Sequence, residues 1–474
     1  MTRPLVSLLV VLLSALSALR AASAPPNIVF IMADDQGPWA FHAGGDKRAH
    51  TPNMDRLARE GARFPSAFSP TPVCSPARAS LLTSRYGSEL GIVDWINPAA
   101  DRGLGLSADV PTWPRLLQKA GYTTGLVGKW HVGDLDEQHP TKRGYDTFYG
   151  FRGGGTPPKD PVLEKDGVSA KREGFIVELI ADEAIAWLQR QNAGRPFALS
   201  VHFREPHAAY LPVRDEDWAW FKDTDPAVPE PDIAGLDTAR VKKTTREYFA
   251  SVAALDRNLG RILDALDRLK LTANTLVIYT SDHGYNLGHH GLLFKGNAQW
   301  MLTKEAMPPG TRNIPTGQRP NLFDTSLKVP MVIRWPGVVR PGTVNPHTLS
   351  HLDWLPTFAA LGGATIPAGT VLRGRDLGPL LRGEAKNWND DFYAEYSMRH
   401  GAQTHLRCLR TTEWKLIRDF NNPDRDELYH LAADPDEKNN LIADPRPAVR
   451  RVIADLGARI LARMTELKDP ALPR

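Results

Sequence analysis

At 474 residues, with 42% hydrophobic and 24% charged positions, the chain has the composition of a soluble globular protein and enough length for two hydrophobic cores. A formal net charge of +4, without a basic run or an RNA-binding pattern, excludes a nucleic-acid binder. Two cysteines, Cys74 and Cys408, are too few for a disulfide-built scaffold.

The first residues read as an export signal. Arg3 gives a positive start, 5–19 are apolar, and 21–24 are small residues suited to cleavage. The apolar run falls short of the ~20 residues of a membrane span, and Pro25-Pro26 follow at once. Residues 1–24 are therefore expected to be a signal peptide, and the mature chain to be secreted or periplasmic without a membrane span.

Strand-like runs then alternate with helical patterns, which predicts an α/β fold with a large doubly wound mixed sheet flanked by helices. A buried strand over 27–32 ends in Asp34-Asp35, and a helix follows at 53–60. Next comes Cys74-Ser-Pro-Ala-Arg78, opening a helical stretch at 79–82. Helix N-termini carry unpaired N–H groups and partial positive charge, so they lower thiol pKa and bind oxyanions. Arg78, one turn on, adds a planar cation suited to a tetrahedral anion. A helix at 112–120 precedes a strand at 124–127 that runs into Lys129-Trp130-His131. In extended backbone Lys129 and His131 would point the same way. Residues 150–174 read as a loop, 175–190 as a helix, and 197–203 as a strand leading to His207, a candidate proton donor held by Pro206. A helix at 245–269 and a strand at 275–280 lead to Asp282-His283, followed by Lys295. Residues 300–320 read as a second loop, 329–335 as a strand and 351–361 as a helix, with Lys328 structural.

After about residue 385 the pattern changes to short strands at 392–396, 406–410 and 414–418, then Glu427-Leu-Tyr429 and a helix at 448–467. This predicts a smaller C-terminal antiparallel sheet plus helix. The expected division is 25–385 for the larger α/β part and 386–474 for the smaller α+β part. Cys408 reads as a small core residue.

Each cluster of Asp, His or Lys follows a strand, where open α/β sheets bind ligands. The like-charged pair Asp34-Asp35 at a strand end calls for a cation, and oxygen donors suit Ca²⁺ or Mg²⁺. Trp39, Trp95, Arg152 and Tyr210 sit on loops that could form a subsite, aromatic and cationic in character.

Taken together, the motifs resemble the type I, formylglycine-dependent sulfatases of the alkaline-phosphatase-like superfamily. They are Asn27-Ile-Val-Phe-Ile-Met-Ala-Asp-Asp35, Cys74-Ser-Pro-Ala-Arg78 with Leu82-Thr83, Gly128-Lys-Trp-His131, Pro206-His207, Ser281-Asp-His-Gly284 and Val329-Pro-Met-Val-Ile-Arg-Trp-Pro-Gly337. A late Glu-Leu-Tyr, Asp-Pro and Asn-Leu pattern adds to them, so the resemblance runs from about residue 26 to 470. Ala77 replaces the commoner serine, and Ser84 stands where glycine usually follows Thr83. The resemblance implies that a maturation enzyme oxidises Cys74 to formylglycine (3-oxoalanine), whose hydrate attacks sulfur. It implies a metal shell of Asp34, Asp35, residue 74, Asp282 and His283, with Asp282 also helping to activate the attacking hydroxyl. Arg78, Lys129 and Lys295 would neutralise sulfuryl oxygens, His207 would protonate the leaving oxygen, and His131 would deprotonate the remaining hydroxyl to expel sulfate. The expected substrate is a sulfate ester, small-molecule or saccharide, with carbohydrate sulfates favoured. Two other readings stand beside it: a phosphonate or phosphate ester hydrolase of the same superfamily, and a non-catalytic secreted binding protein with an unmodified cysteine.

Overall fold

The structure, a computed structural model, describes residues 25–192 and 194–472; the signal peptide expected at 1–24 lies outside them. A ten-stranded mixed sheet forms the centre. The strand Asn27–Ala33 lies in its middle, parallel to Thr275–Ser281 on one side and to Phe197–His202 on the other. Nearly every residue of these three strands is buried, because helices cover both faces of a parallel sheet. Thr123–Lys129 and Thr147–Phe151 continue the parallel run, and antiparallel pairings enter on both flanks.

Alternation along Asn27–Ala33 sorts the core into two layers. Val29, Ile31 and Ala33 pack with the helices Pro52–Glu60, Ile176–Gln189 and Thr238–Arg268. Ile28, Phe30 and Met32 pack with Trp113–Lys119, Trp354–Leu361 and apolar residues of Cys74–Thr83. The Thr238–Arg268 helix starts seven residues earlier than the apolar pattern suggests. Asp237 accepts a hydrogen bond from Arg240 N (2.9 Å), so a cap rather than hydrophobicity sets that end.

Two segments read as loops contain strands. Within 150–174 a hairpin pairs Val162–Lys165 with Val168–Lys171. Its turn is Asp166-Gly167, both at positive φ (49° and 98°), the Asp-Gly signal of a two-residue hairpin. Around 300–320, Asn297–Trp300 pairs with Gln318–Pro320. At 351–361 the helix proper is Trp354–Leu361, preceded by the 3-10 turn His351–Asp353.

The C-terminal strands Phe392–Tyr396, Leu406–Arg410, Trp414–Asp419 and Glu427–His430 form an antiparallel meander. The helix Pro447–Leu467 covers it, opened by proline at its first turn. Cys408 is fully buried in this sheet, and both cysteines are free. Beneath the helix, Arg407 donates to both Asp469 carboxylate oxygens (2.5 and 2.8 Å), with both side chains buried. Removing one partner strands the other charge in a low-dielectric core. Asp469→Ala is therefore expected to cost on the order of 3–5 kcal/mol, read by denaturant unfolding. A variant as stable as the parent would show that the pair does not hold the C-terminal segment.

Candidate functional site

The site is built at one edge of the main sheet, where the parallel strands end. Asp34 N donates to Glu205 O (3.0 Å) and Asp282 N to Ala33 O (3.1 Å), so the segments after three adjacent strands are tied together. Asp35 has φ 69°, the left-handed region that aspartate tolerates. Two bonds hold it there. Its N–H donates to Asp282 Oδ1 (3.2 Å), and Tyr248 Oη of the long helix donates to its carbonyl (2.9 Å). Both carboxylates thereby turn toward the helix Cys74–Thr83.

Cys74 is the first residue of that helix, all ten of whose residues are buried. Its Sγ lies 3.5 Å from Asp34 Oδ1, 3.4 Å from His283 Nε2 and 3.2 Å from Lys295 Nζ. The expectation of a lowered thiol pKa is not met: burial pushes the thiol up to about 12, although Lys129 and Lys295 act the other way. Desolvation outweighs the helix terminus here. At the far end of the helix Ser84 takes a left-handed conformation (φ 59°), which explains why glycine would serve there. Ser84 Oγ accepts from Arg373 N (3.2 Å) and Gly374 N (2.9 Å).

Three cations face three carboxylates. Arg78 sets two nitrogens against Asp282 Oδ2 (both 3.0 Å) and donates to Lys129 O (3.2 Å). Lys129 Nζ sits 2.5 Å from Asp34 Oδ2, and Lys295 Nζ pairs with Asp35 Oδ1. Burial alone would raise all three carboxyls. Lys129 holds Asp34 below its usual value, Lys295 does so for Asp35, and His283 with Arg78 holds Asp282 well below.

His283 donates from Nδ1 to Gly284 O (2.9 Å), so in the neutral ring Nε2 presents a lone pair. That lone pair faces Asp35 Oδ1 (3.2 Å), Asp282 Oδ1 (3.4 Å) and Cys74 Sγ. Burial lowers the His283 pKa. Acceptors pointed at one another fit a bound cation. Donor atoms of Asp34, Cys74, Asp282 and His283 lie within 4.8 Å of one another, as do those of Asp34, Asp35, Cys74 and His207. Three carboxylates, Asp34, Asp35 and Asp282, supply oxygen donors, which suits a hard divalent ion.

Lys129 and His131 do not project by strand alternation, because the strand ends at Lys129 and His131 has φ 59°. Both are nevertheless buried at the site. His131 Nε2 donates to Ile96 O (3.2 Å), and its buried Nδ1 has no partner among the described residues. Burial, with Lys129 and Arg78 close by, holds this ring well below its usual pKa. Gly154 packs on it so closely that an added Cβ would lie 2.7 Å from Nε2. His207 donates from Nδ1 to Ala208 O (2.7 Å), leaving Nε2 4.0 Å from Asp35 Oδ2 and free to exchange a proton with a ligand. His202 lies behind the site and donates to Lys129 O (3.1 Å).

A pocket of about 470 Å³ opens over these groups, with Asp35, Cys74, His131, His207 and Lys295 at its base. Trp95, Gly153–Gly155, Asn297 and Gln299 are in its walls. Of the four loop residues considered for a subsite, only Trp95 lines it. Trp39 borders a separate cleft with His289 and Glu230. Arg152 is engaged by Glu164 and Asp136, and Tyr210 Oη meets Tyr285 Oη at 2.6 Å. Asn297 and Gln299 escaped sequence reading because neutral amides carry no chemical signature. Lys328 pairs with Asp324 (3.0 Å) and is structural, as read.

A sequence model of the sulfatase family matches residues 26–364, and one described as the C-terminal part of N-sulphoglucosamine sulphohydrolase matches residues 318–466. The chain is 27% identical to an N-acetylglucosamine-6-O-sulfatase of Bacteroides thetaiotaomicron, over 88% of this chain and 82% of that one. It is 27% identical to a steryl-sulfatase of Mus musculus, over 96% and 85% of the two chains. A solved structure described as a complex with its substrate, D-glucosamine-2-N,6-O-disulfate, superposes with a TM-score of 0.80 at 24% identity. It covers 95% of this chain and 99% of that one, and shows the shared fold.

Burial pushes the His202 ring down to about 3, and its Nε2 is buried without a partner among the described residues. The folded ring thus refuses a proton that the unfolded ring accepts. Its contribution to stability is full above pH ~6.5 and declines as pH falls from there toward 3. NMR titration should find this ring neutral at pH 5; protonation near 6.5 would contradict the burial argument.

Proposed function

Since the chain belongs to the sulfatase family, and is therefore a sulfuric ester hydrolase, we propose that it cleaves sulfate esters of carbohydrates with residue 74, oxidised to formylglycine, as nucleophile. The observation that carries this reading is the convergence of Asp34, Cys74, Asp282 and His283 on one point, ringed by Arg78, Lys129 and Lys295. The aldehyde of residue 74, once hydrated, would supply a hydroxyl for attack on sulfur and later release the sulfate. A divalent cation, Ca²⁺ or Mg²⁺, held by Asp34, Asp35, residue 74, Asp282 and His283, would supply Lewis acidity.

The chain's own groups account for the rest. Arg78, Lys129 and Lys295 neutralise charge that grows on the sulfuryl oxygens. Asp282, kept ionised by its neighbours, favours loss of a proton from the attacking hydroxyl. His207 reaches the pocket with Nε2 and delivers a proton to the leaving oxygen. His131, kept neutral by burial, offers the Nδ1 lone pair as the base for the collapse that frees sulfate.

The apolar run 5–19 supports export, and no helix among the described residues is long and apolar enough to cross a membrane. The change of pattern near residue 385 supports parts at 25–385 and 386–474. A carbohydrate substrate is supported by the N-acetylglucosamine-6-O-sulfatase relative, although the steryl-sulfatase is equally identical. A phosphonate ester remains the rival substrate. Wild type should turn over an aryl sulfate faster than the matching aryl phosphonate monoester, and the opposite preference would reject the sulfate reading.

Cys74→Ala is expected to lower aryl sulfate turnover about 10⁴-fold or more while leaving the circular dichroism spectrum unchanged. Mass measurement on the residue 74 peptide of active wild type should show aldehyde; thiol alone would refute the nucleophile. Removing divalent metal should silence the enzyme and lower its melting temperature. An ion bound at 100 times its Kd contributes about 2.7 kcal/mol, so an unmoved melt would leave the acidic cluster without its cation.

A further inference from the structure

The catalytic base of the pocket explains how an SO₃ group is held, not which alcohol carries it. The structural answer lies in the walls. After Lys295 the chain enters the strand Asn297–Trp300, where Asn297 and Gln299 are two residues apart and both line the pocket. The antiparallel partner Gln318–Pro320 places Gln318 directly opposite Gln299, so the two amides share a face. Asn297 Oδ1 and Gln318 Oε1 are both without a hydrogen-bond partner among the described residues. Buried amide oxygens are rarely left so, and an amide held by nothing can turn to meet a ligand donor.

Opposite polarity is missing from this wall. Its amides are neutral, and they offer both acceptors and donors. Trp95, only partly buried, lines the same pocket and offers an apolar ring face. It is held in place from the C-terminal sheet: His400 packs on it at 4.8 Å, and the Asp94 carboxylate accepts from Arg399 N (2.7 Å), His400 N (3.1 Å) and Tyr396 Oη (3.0 Å). An apolar plate and neutral amides in one pocket match a ring that is apolar on its faces and hydroxylated at its edge. A pyranose has that form, whereas a sterol would leave the buried Asn297 Oδ1 unpaired at a cost.

We propose that Asn297, Gln299 and Trp95 are specificity-determining residues that select a pyranoside as the leaving alcohol, the amides bonding its ring hydroxyl or acetamido groups. This rests on the proposed carbohydrate sulfatase reading and adds the residues that recognise the sugar.

The test compares two probes, N-acetylglucosamine 6-sulfate and 4-nitrocatechol sulfate, on mature enzyme. In Gln299→Ala and Asn297→Leu the ratio of kcat/KM for sugar over aryl substrate should fall about tenfold or more, chiefly through KM for the sugar. Gln299 is exposed, so its replacement should not disturb folding. Trp95→Ala should move the ratio in the same direction. An unchanged ratio in all three variants would overturn the proposal, as would a wild type that turns over the aryl sulfate and no sulfated pyranose in a panel of 2-, 3-, 4- and 6-sulfates. A wild type active on neither class would instead bring down the sulfatase reading beneath it.

Discussion

Charge balance among buried groups governs this molecule. Asp34, Asp35 and Asp282 are buried and ionised, and Arg78, Lys129 and Lys295 are buried against them. An isolated charge in such a place would cost several kcal/mol, so no one of the six is tolerable without the others. The protein's own groups sum to zero with the histidines neutral. A divalent cation between the carboxylates would tip the sum to positive, and an anionic ester is the species that restores it. The same six residues that make the interior affordable therefore define what the pocket attracts.

Topology makes that balance possible. Asp34, Lys129 and Asp282 come from three different strands, each contributing a charge at its end rather than along its length. The strand bodies stay buried and uncharged on both faces, as burial between two helical layers requires. Arg78 and Cys74 come from a helix whose first turn aims at the same point. Backbone links between neighbouring strand ends, such as Asp34 N to Glu205 O, set the spacing before any side chain does.

Much of this was legible in the amino-acid order. Buried strands announce themselves as apolar runs, and charged residues at their ends mark the ligand edge. The Cys74 motif, Lys129, His131, His207, Asp282 and His283 all fall at the site. Other features could not be read. The left-handed turns at Asp35 and His131 depend on partners far away in sequence, Tyr248 for one and the Arg152 and Ile96 carbonyls for the other. The Asp166-Gly167 hairpin carried a recognisable turn signal inside a segment too short and polar to stand out. The thiol pKa went opposite to the helix-terminus argument because burial, a tertiary quantity, was the larger effect. The amide wall flanks a proline-rich stretch and has no apolar period to betray a strand.

Asp324 gives the small sheet its significance. Its carboxylate receives Lys328 from its own segment and Arg410 and Lys415 from the small sheet, while its N–H donates to Glu437. This knot sits four residues past the strand that pairs with Asn297 and Gln299. Gln318 in that strand packs against Gly401, in the connection between the first two strands of the small sheet and next to the residue that braces Trp95. One jaw of the pocket is thus bolted to the C-terminal unit on both sides. A chain ended before that unit would keep its chemistry's ingredients and lose the vice that grips what they act upon.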